Sequence, residues 1–327
     1  MKEMALTGKR LGRFKPTADG VQNLTMFGIF IIICVIGIIL KPGVFPTIEN
    51  IVGILVSTTS VVITASAVTL VLISGNLDLS VAGIGAMAGV LFGLFAKAGI
   101  PVYLSAIMAV GCGAISGLIN GIIISALNQP SFIITLAVKY ITGGIALIGA
   151  GGASIASGLP GNIGDLGKTI SGIPLPVVFA LAIFLIFLFI QNKTVFAHQA
   201  YAIGSNIKTS RFSGISTVKV VTIIFVLSGM AAAFTGVVVV SRFTVVDCSM
   251  LPGLETDCII AAVLGGTDIN GGRGTVMGML IGALIVGVLT NIFTMLGITI
   301  YDQQVVKGVV LVLAILVNNT VRNKIKV

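Results

Sequence analysis

Apolar positions in this chain come in long blocks rather than in alternation. Runs cover roughly residues 22–41, 50–73, 80–98, 102–126, 131–150, 175–191, 218–240, 256–266, 275–296 and 303–319. Most of them approach the about 20 residues that an α-helix needs to cross a bilayer's hydrocarbon. The eighth is too short to cross alone as a straight helix. The pattern predicts an all-α, polytopic membrane protein with about ten spans. The basic start leads into a long apolar run with no A-x-A site behind it, which reads as a retained first span rather than a cleaved signal. The expected layout is a tail over 1–21, one membrane domain over 22–319 and a tail over 320–327. Soluble loops fall at 150–174 and 191–218.

Polar residues interrupt the runs in two places, near 74–80 and within 256–274. The first reads Ser74-Gly75-Asn76-Leu77-Asp78-Leu79-Ser80, and the second contains Gly265-Gly266-Thr267-Asp268-Ile269-Asn270-Gly271-Gly272-Arg273-Gly274. Both run from an apolar segment through Gly and Asp into a Gly-rich span, a weak internal repeat. Broken helices in paired halves are a transporter device, because backbone freed at membrane depth must line a cavity or be buried in protein. Asp78 and Asp268 fit helix N-caps and are also candidates for a solute path. Glycines recur every fourth residue at Gly85, Gly89 and Gly93, at Gly113, Gly117 and Gly121, and at Gly274, Gly278 and Gly282. That spacing stacks small residues on one helix face and predicts close helix–helix seams.

Composition sharpens the class. The 327 residues are 56% hydrophobic and 9% charged, with a mean hydropathy of +1.16, where soluble domains carry about 25% charged residues. The net charge of +9 does not indicate a nucleic-acid partner, because the basic residues cluster at span ends, as cytoplasmic anchors do. With the N-terminus inside and an even number of spans, the C-terminus and the 191–218 loop are also inside. Thirteen of the 19 Lys and Arg then fall inside and four (Lys41, Lys97, Lys168, Arg242) outside, with Lys139 and Lys307 within spans. The expected location is a cytoplasmic (inner) membrane, with both termini cytoplasmic and lipid as a neighbour. Cys34, Cys112, Cys248 and Cys258 have no metal-type spacing and read as small apolar fillers.

Two stretches imitate nucleotide sites. In GNIGDLGKT (161–169), counting back from Gly167-Lys168-Thr169 puts Asn162 where a phosphate loop needs its first glycine. The topology also places the stretch outside, away from ATP. Gly83-Ile84-Gly85-Ala86-Met87-Ala88 matches G-x-G-x-x-A, but within a span rather than between a strand and a helix. No Ser/His/Asp set, metal cluster or H-E-x-x-H is present, so the chain is read as a non-enzyme with no cofactor of its own. His198 reads as a solvated loop residue. Lys139, well inside the fifth run, either snorkels to an interface or faces a path. Glu255 and Asp257 suit the first turn of the eighth segment and are also path candidates. The 191–218 loop holds a short amphipathic helix with Ser205 or Asn206 as cap, Ile207 and Phe212 beside Lys208 and Arg211, and Gly214 as stop. Such a helix can dock a soluble partner or lie on lipid.

Four stretches in order, GNLDLSVAGIGAMAG, NGIIISALNQPSFIITLA, AYAIGSNIKTSRFSGI and ETDCIIAAVLGGTDINGGRGTVMGMLIGALIVG, resemble the membrane permeases of ribose-type sugar ABC importers. The likeness runs from about residue 45 to the tail. It implies a fold similar to the vitamin B12 importer permease and pairing with a second permease copy or paralogue. It also implies a separate cytoplasmic ATPase that uses ATP and Mg, and an extracytoplasmic sugar-binding protein. The segment from Ala202, Ile203 and Gly204 through Asn206, Lys208, Arg211, Phe212 and Gly214 would be the coupling helix seated in the ATPase. Asn76, Asp78, Ser80, Asn120, Thr135, Lys139, Glu255, Asp257 and Asn270 are the candidates for a polar path suited to a neutral, hydroxyl-rich monosaccharide moved by alternating access. Where the family often has Arg-Gly, this chain has Gly143-Gly144, with Lys139 a turn earlier; Asp268 stands where smaller polar residues are common. The D-L-S-V element favours sugar. A branched-chain amino acid or nucleoside ABC permease, an ion-coupled secondary transporter and a membrane enzyme are the competing readings.

Overall fold

The computed structural model describes residues 18–299 and 301–312. The basic N-terminal cluster and the 320–327 tail lie outside the described residues. The apolar runs become α1 (Ala18–Leu40), α2 (Ile48–Ile73), α3 (Val81–Lys97), α4 (Val102–Ala126), α5 (Ser131–Ala150), α6 (Leu175–Lys193), α9 (Thr217–Phe243), α10 (Leu254–Leu264) and α11 (Val276–Met295). Helix α12 covers 301–312. Between α6 and α9 the soluble loop forms α7 (Val195–Ser205) and α8 (Ile207–Phe212). Among the described residues, six helices, α2, α4, α5, α6, α9 and α11, are long and apolar enough to cross a membrane, while Leu24–Leu40 and α3 are shorter. The chain is a nearly all-helical polytopic membrane protein.

Helix α9 is the axis: 72% of its apolar stretch is buried, against 22% for α5, which lies at an edge. Glycine seams make the axis possible. A Cβ on Gly121 would stand 2.5 Å from Thr222 Cα, and Cβ atoms on Gly113 and Gly117 would overlap the α9 backbone at Gly229 and Phe225. On α3, Gly85 and Gly89 face Ala232 and Gly236 of α9 in the same way, and Gly93 faces Val246. Gly278 and Gly282 seat α11 on Gly265 and Ala261 at the end of α10. In lipid the apolar side chains gain little by leaving the solvent, so backbone approach and dispersion must hold the helices together. Gly274 departs from the expectation. It precedes α11, has a φ of 143° and packs on Thr267, so it turns the chain rather than extending the seam.

The described helix ends gather at two ends of the bundle. At one end, Ile155 and Val246 exchange backbone hydrogen bonds (2.8 and 3.0 Å), and the Leu166 N–H donates to Ser241 Oγ at 3.0 Å. The GNIGDLGKT stretch is here. Its 3-10 turn (Ile163–Gly167) leads into a hairpin, Thr169–Ile170 with Ile173–Pro174, so its Lys opens a hairpin and not a helix. Gly167 lies on Arg242 backbone and Lys168 pairs with Asp165 (2.5 Å), so the stretch is packed and paired rather than open to phosphate. The other end gathers the close of α2, the α4–α5 turn, α7, α8 and the 265–275 segment.

Candidate transport site and coupling surface

The first interruption forms a closed polar knot. Ser74 ends α2 by donating to Val71 O (2.7 Å), and Gly75 turns the chain at a φ of 77°. Asp78 then accepts from Ser80 N–H (2.9 Å), Ser80 Oγ (2.5 Å) and, across the bundle, Ser228 Oγ on α9 (2.7 Å). Asn120 on α4 donates to Ser80 Oγ at 2.9 Å. Asp78, Ser80, Asn120 and Ser228 are all essentially inaccessible. A buried carboxylate is tolerable only when its lone pairs are filled, and three hydroxyl or amide donors do that here. Ser80, not Asp78, is the N-cap position of α3. Thr135 is buried and donates to Ser131 O on its own helix (2.8 Å). In this conformation these residues tie α3, α4, α5 and α9 together and do not face open space.

The second interruption follows α10. Asp268 accepts from Asn270 N–H (2.9 Å) and Asn270 Nδ2 (3.1 Å). It does not cap α11; Thr275 does, accepting from Gly278 N–H at 3.0 Å. Asn270 itself is exposed. Asn76 stays local, donating to Ser74 Oγ at 3.0 Å.

The two interruptions meet at the end of α7. Gly272 N–H donates to Ile73 O (2.8 Å). A Cβ on Gly204 would lie 2.6 Å from Gly272 N and closer still to Ile73 O, and one on Gly271 would lie 2.7 Å from Gly75 Cα. Three chain segments thus touch backbone to backbone. This divides the expected coupling helix. Ala202, Ile203 and Gly204 belong to α7, with Ile203 buried and Gly204 in the junction. Only the part after Asn206 forms the projecting helix. Asn206 caps α8 by accepting from Thr209 N–H (3.0 Å), and Gly214 (φ 81°) stops it with its N–H on Arg211 O. Phe212 is 92% exposed. Lys208 is exposed, and Arg211 turns back to Thr217 Oγ1 (3.1 Å) and Asn128 Oδ1 (2.8 Å), fixing α8 to α9 and to the α4–α5 turn.

Lys139 bonds Glu255, so it does not snorkel, and Lys307 on α12 holds Asp257 at 2.9 Å. Both acids sit in the first turn of α10, as expected. Lys139 also lines a cavity of about 430 Å³ with Tyr140, Gly143, Gly144, Cys248 and Ser249. Cys248 is half-buried, packs against the core and also lines the cavity; all four cysteines are free. His198 is exposed as expected, with Nδ1 on Thr194 O (2.9 Å).

Two contributors were missed in the sequence. Ser228 is a hydroxyl in the middle of an apolar run, which by itself asks for a partner. Gly75 carried no signal beyond being a glycine, because its role depends on segments about 130 and 200 residues away.

A membrane-embedded helical bundle with two interrupted helices, paired charges at span depth and a capped helix projecting from one end has the architecture of a transporter. The chain belongs to the family described as branched-chain amino acid transport system / permease component, which matches residues 50–315. It is 35% identical over 305 residues to the ribose import permease protein RbsC of Bacillus subtilis (92% of this chain, 94% of that one). It is 33% identical to the L-arabinose ABC transporter permease protein AraH of Azospirillum brasilense (86% and 83%) and 31% to the D-allose transport system permease protein AlsC of Escherichia coli (89% and 89%). No solved structure matches the chain.

Proposed function

We propose that this chain is the membrane permease of an ABC importer for a monosaccharide, ribose-, arabinose- or allose-like. Relatives named for those three sugars support the solute class. The observation that carries the mechanism is the rigid placement of α8: capped, stopped, pinned by Arg211 and presenting Phe212 from the end where both helix interruptions converge. The partner ATPase, which burns ATP with Mg, takes α8 and pushes. Because Gly204 leaves no slack between α7 and the 73–75 and 271–272 segments, the push reaches the interrupted helices as a displacement. A close-packed interior transmits such a shift rather than absorbing it. A sugar-binding protein loads the solute from the other face, and a second permease copy or paralogue completes the passage.

In this reading the about ten spans follow the vitamin B12 importer permease pattern, in a bacterial cytoplasmic membrane with both termini inside. Lys139, Tyr140 and Ser249 supply polar groups along the passage. The chain with its ATPase and binding protein in proteoliposomes should import labelled ribose, arabinose or allose only with ATP. Uptake that persists without the ATPase returns the reading to a secondary transporter, and preference for leucine returns it to an amino acid permease.

A further inference from the structure

Helix α5 packs on α3 and α4, whereas α10 packs mainly on α11 and α2 and meets α5's neighbour α3 only lightly. The Lys139–Glu255 ion pair crosses between them. Lys139 stands near the middle of α5, held from behind by α3: a Cβ on Gly83 would be 2.6 Å from Lys139 O. Gly253, which begins α10 with a φ of 76°, lines the cavity with Lys139. The pair therefore lies at the edge of the cavity, where α10 starts. From there α10 descends to the 265–272 segment and the glycine junction with α7.

We propose that the Lys139–Glu255 pair is the clasp that closes this cavity toward the junction end, and that α10 is the lever that opens it. The physics makes the clasp two-state. At span depth neither charge is stable alone in a dry surrounding. Separation is possible only if water reaches Glu255, so the closed state is paired with Glu255 sealed behind Lys139, and the open state is unpaired with both groups wet. Glu255 Oε2 is buried and has no hydrogen-bond partner among the described residues, and entering water would satisfy it. The Asp257–Lys307 bond near the same end gives α10 a second hold, on α12, about which Glu255 can swing. The inference rests on the permease reading only in calling the cavity a passage.

Cys248 lines the cavity and reports its open side. Thr135, one turn from Lys139 toward the junction end, is fully buried. In the full chain with Cys34 and Cys112 replaced by Ser and Cys258 by Ala, a membrane-impermeant maleimide should label Cys248 from one side. Thr135→Cys should stay protected. Adding Lys139→Met or Glu255→Gln should raise labelling of Thr135→Cys at least tenfold from the side that reaches Cys248. The exchange Lys139→Glu with Glu255→Lys should restore protection, with unchanged gel-filtration profiles throughout. Protection that survives loss of either charge, or an exchange variant as open as the single ones, overturns the clasp. If Lys139→Met does not reach the membrane, Glu255→Gln carries the same comparison. Labelling needs neither ATPase nor sugar, so the clasp and the sugar assignment can fail separately.

Discussion

Replacing Gly204 by Ala tests the junction that connects the soluble helices to the interrupted spans. The added methyl would stand 2.6 Å from Gly272 N and closer to Ile73 O, both backbone atoms joined by a 2.8 Å hydrogen bond. No rotamer change relieves it, so one of the three segments must move. Overpacking of this kind costs about 1–3 kcal/mol, and losing the bond costs ~1 kcal/mol more. Ala in place of a helical Gly returns about 0.5–1 kcal/mol. The net loss is on the order of 1–3 kcal/mol. Gly144→Ala is the control: it is also helical, with nothing within 4 Å of the added Cβ, and should gain about 0.5–1 kcal/mol. Thermal unfolding in detergent should place Gly204→Ala below and Gly144→Ala at or above the parent. Hydrogen exchange should rise at 73–77 and 268–272 in the first variant alone. Equal stability of the two variants, or a stabilised Gly204→Ala, would refute the argument that this contact is rigid.

The polar knot and the exposed helix give further tests. Ser228→Ala removes one of three donors to the buried Asp78 carboxylate and should cost about 1.5–3 kcal/mol, read as a lower unfolding midpoint; a neutral result would mean that Asp78 does not need α9. Phe212→Ala should leave exchange in 206–214 unchanged but weaken capture of the partner ATPase. Arg211→Ala should speed exchange there by freeing α8 from Asn128 and Thr217, and identical exchange in the two variants would erase this division of roles. Ser154 Oγ (2.7 Å) and Ser249 N–H (2.7 Å) donate to Asp247 and hold its carboxyl below the usual range. A depressed folded value stabilises above the unfolded value of about 3.9 and is lost as pH falls through the folded one. Protection of the 150–158 segment should therefore exceed that of Ser154→Ala at neutral pH and converge with it in acid.

Much of this molecule was legible in its residues because hydrocarbon is an unforgiving solvent. A backbone in lipid must bond to itself, so apolar runs become helices nearly residue for residue, as with 102–126 and α4. The every-fourth glycines mark seams for the same reason, and the α8 cap and stop are local chemistry within nine residues. What the linear order could not reveal was pairing at long range. Asp78 reads first as a cap, with a path role beside it, until Ser228, 150 residues later, is brought to its carboxylate. Lys139 reads as either a snorkelling or a path side chain until Glu255 meets it.

The chain alone therefore determined class, the positions of the long apolar helices, the two interruptions and the projecting helix, since each depends on neighbours within a few turns. Only the tertiary structure decided which polar groups are sealed in a knot and which line the cavity. It also decided that Gly204 sits in the junction while the helix after it faces outward. The reason is that burial and charge pairing depend on which helices pack together, and sequence separation does not limit that.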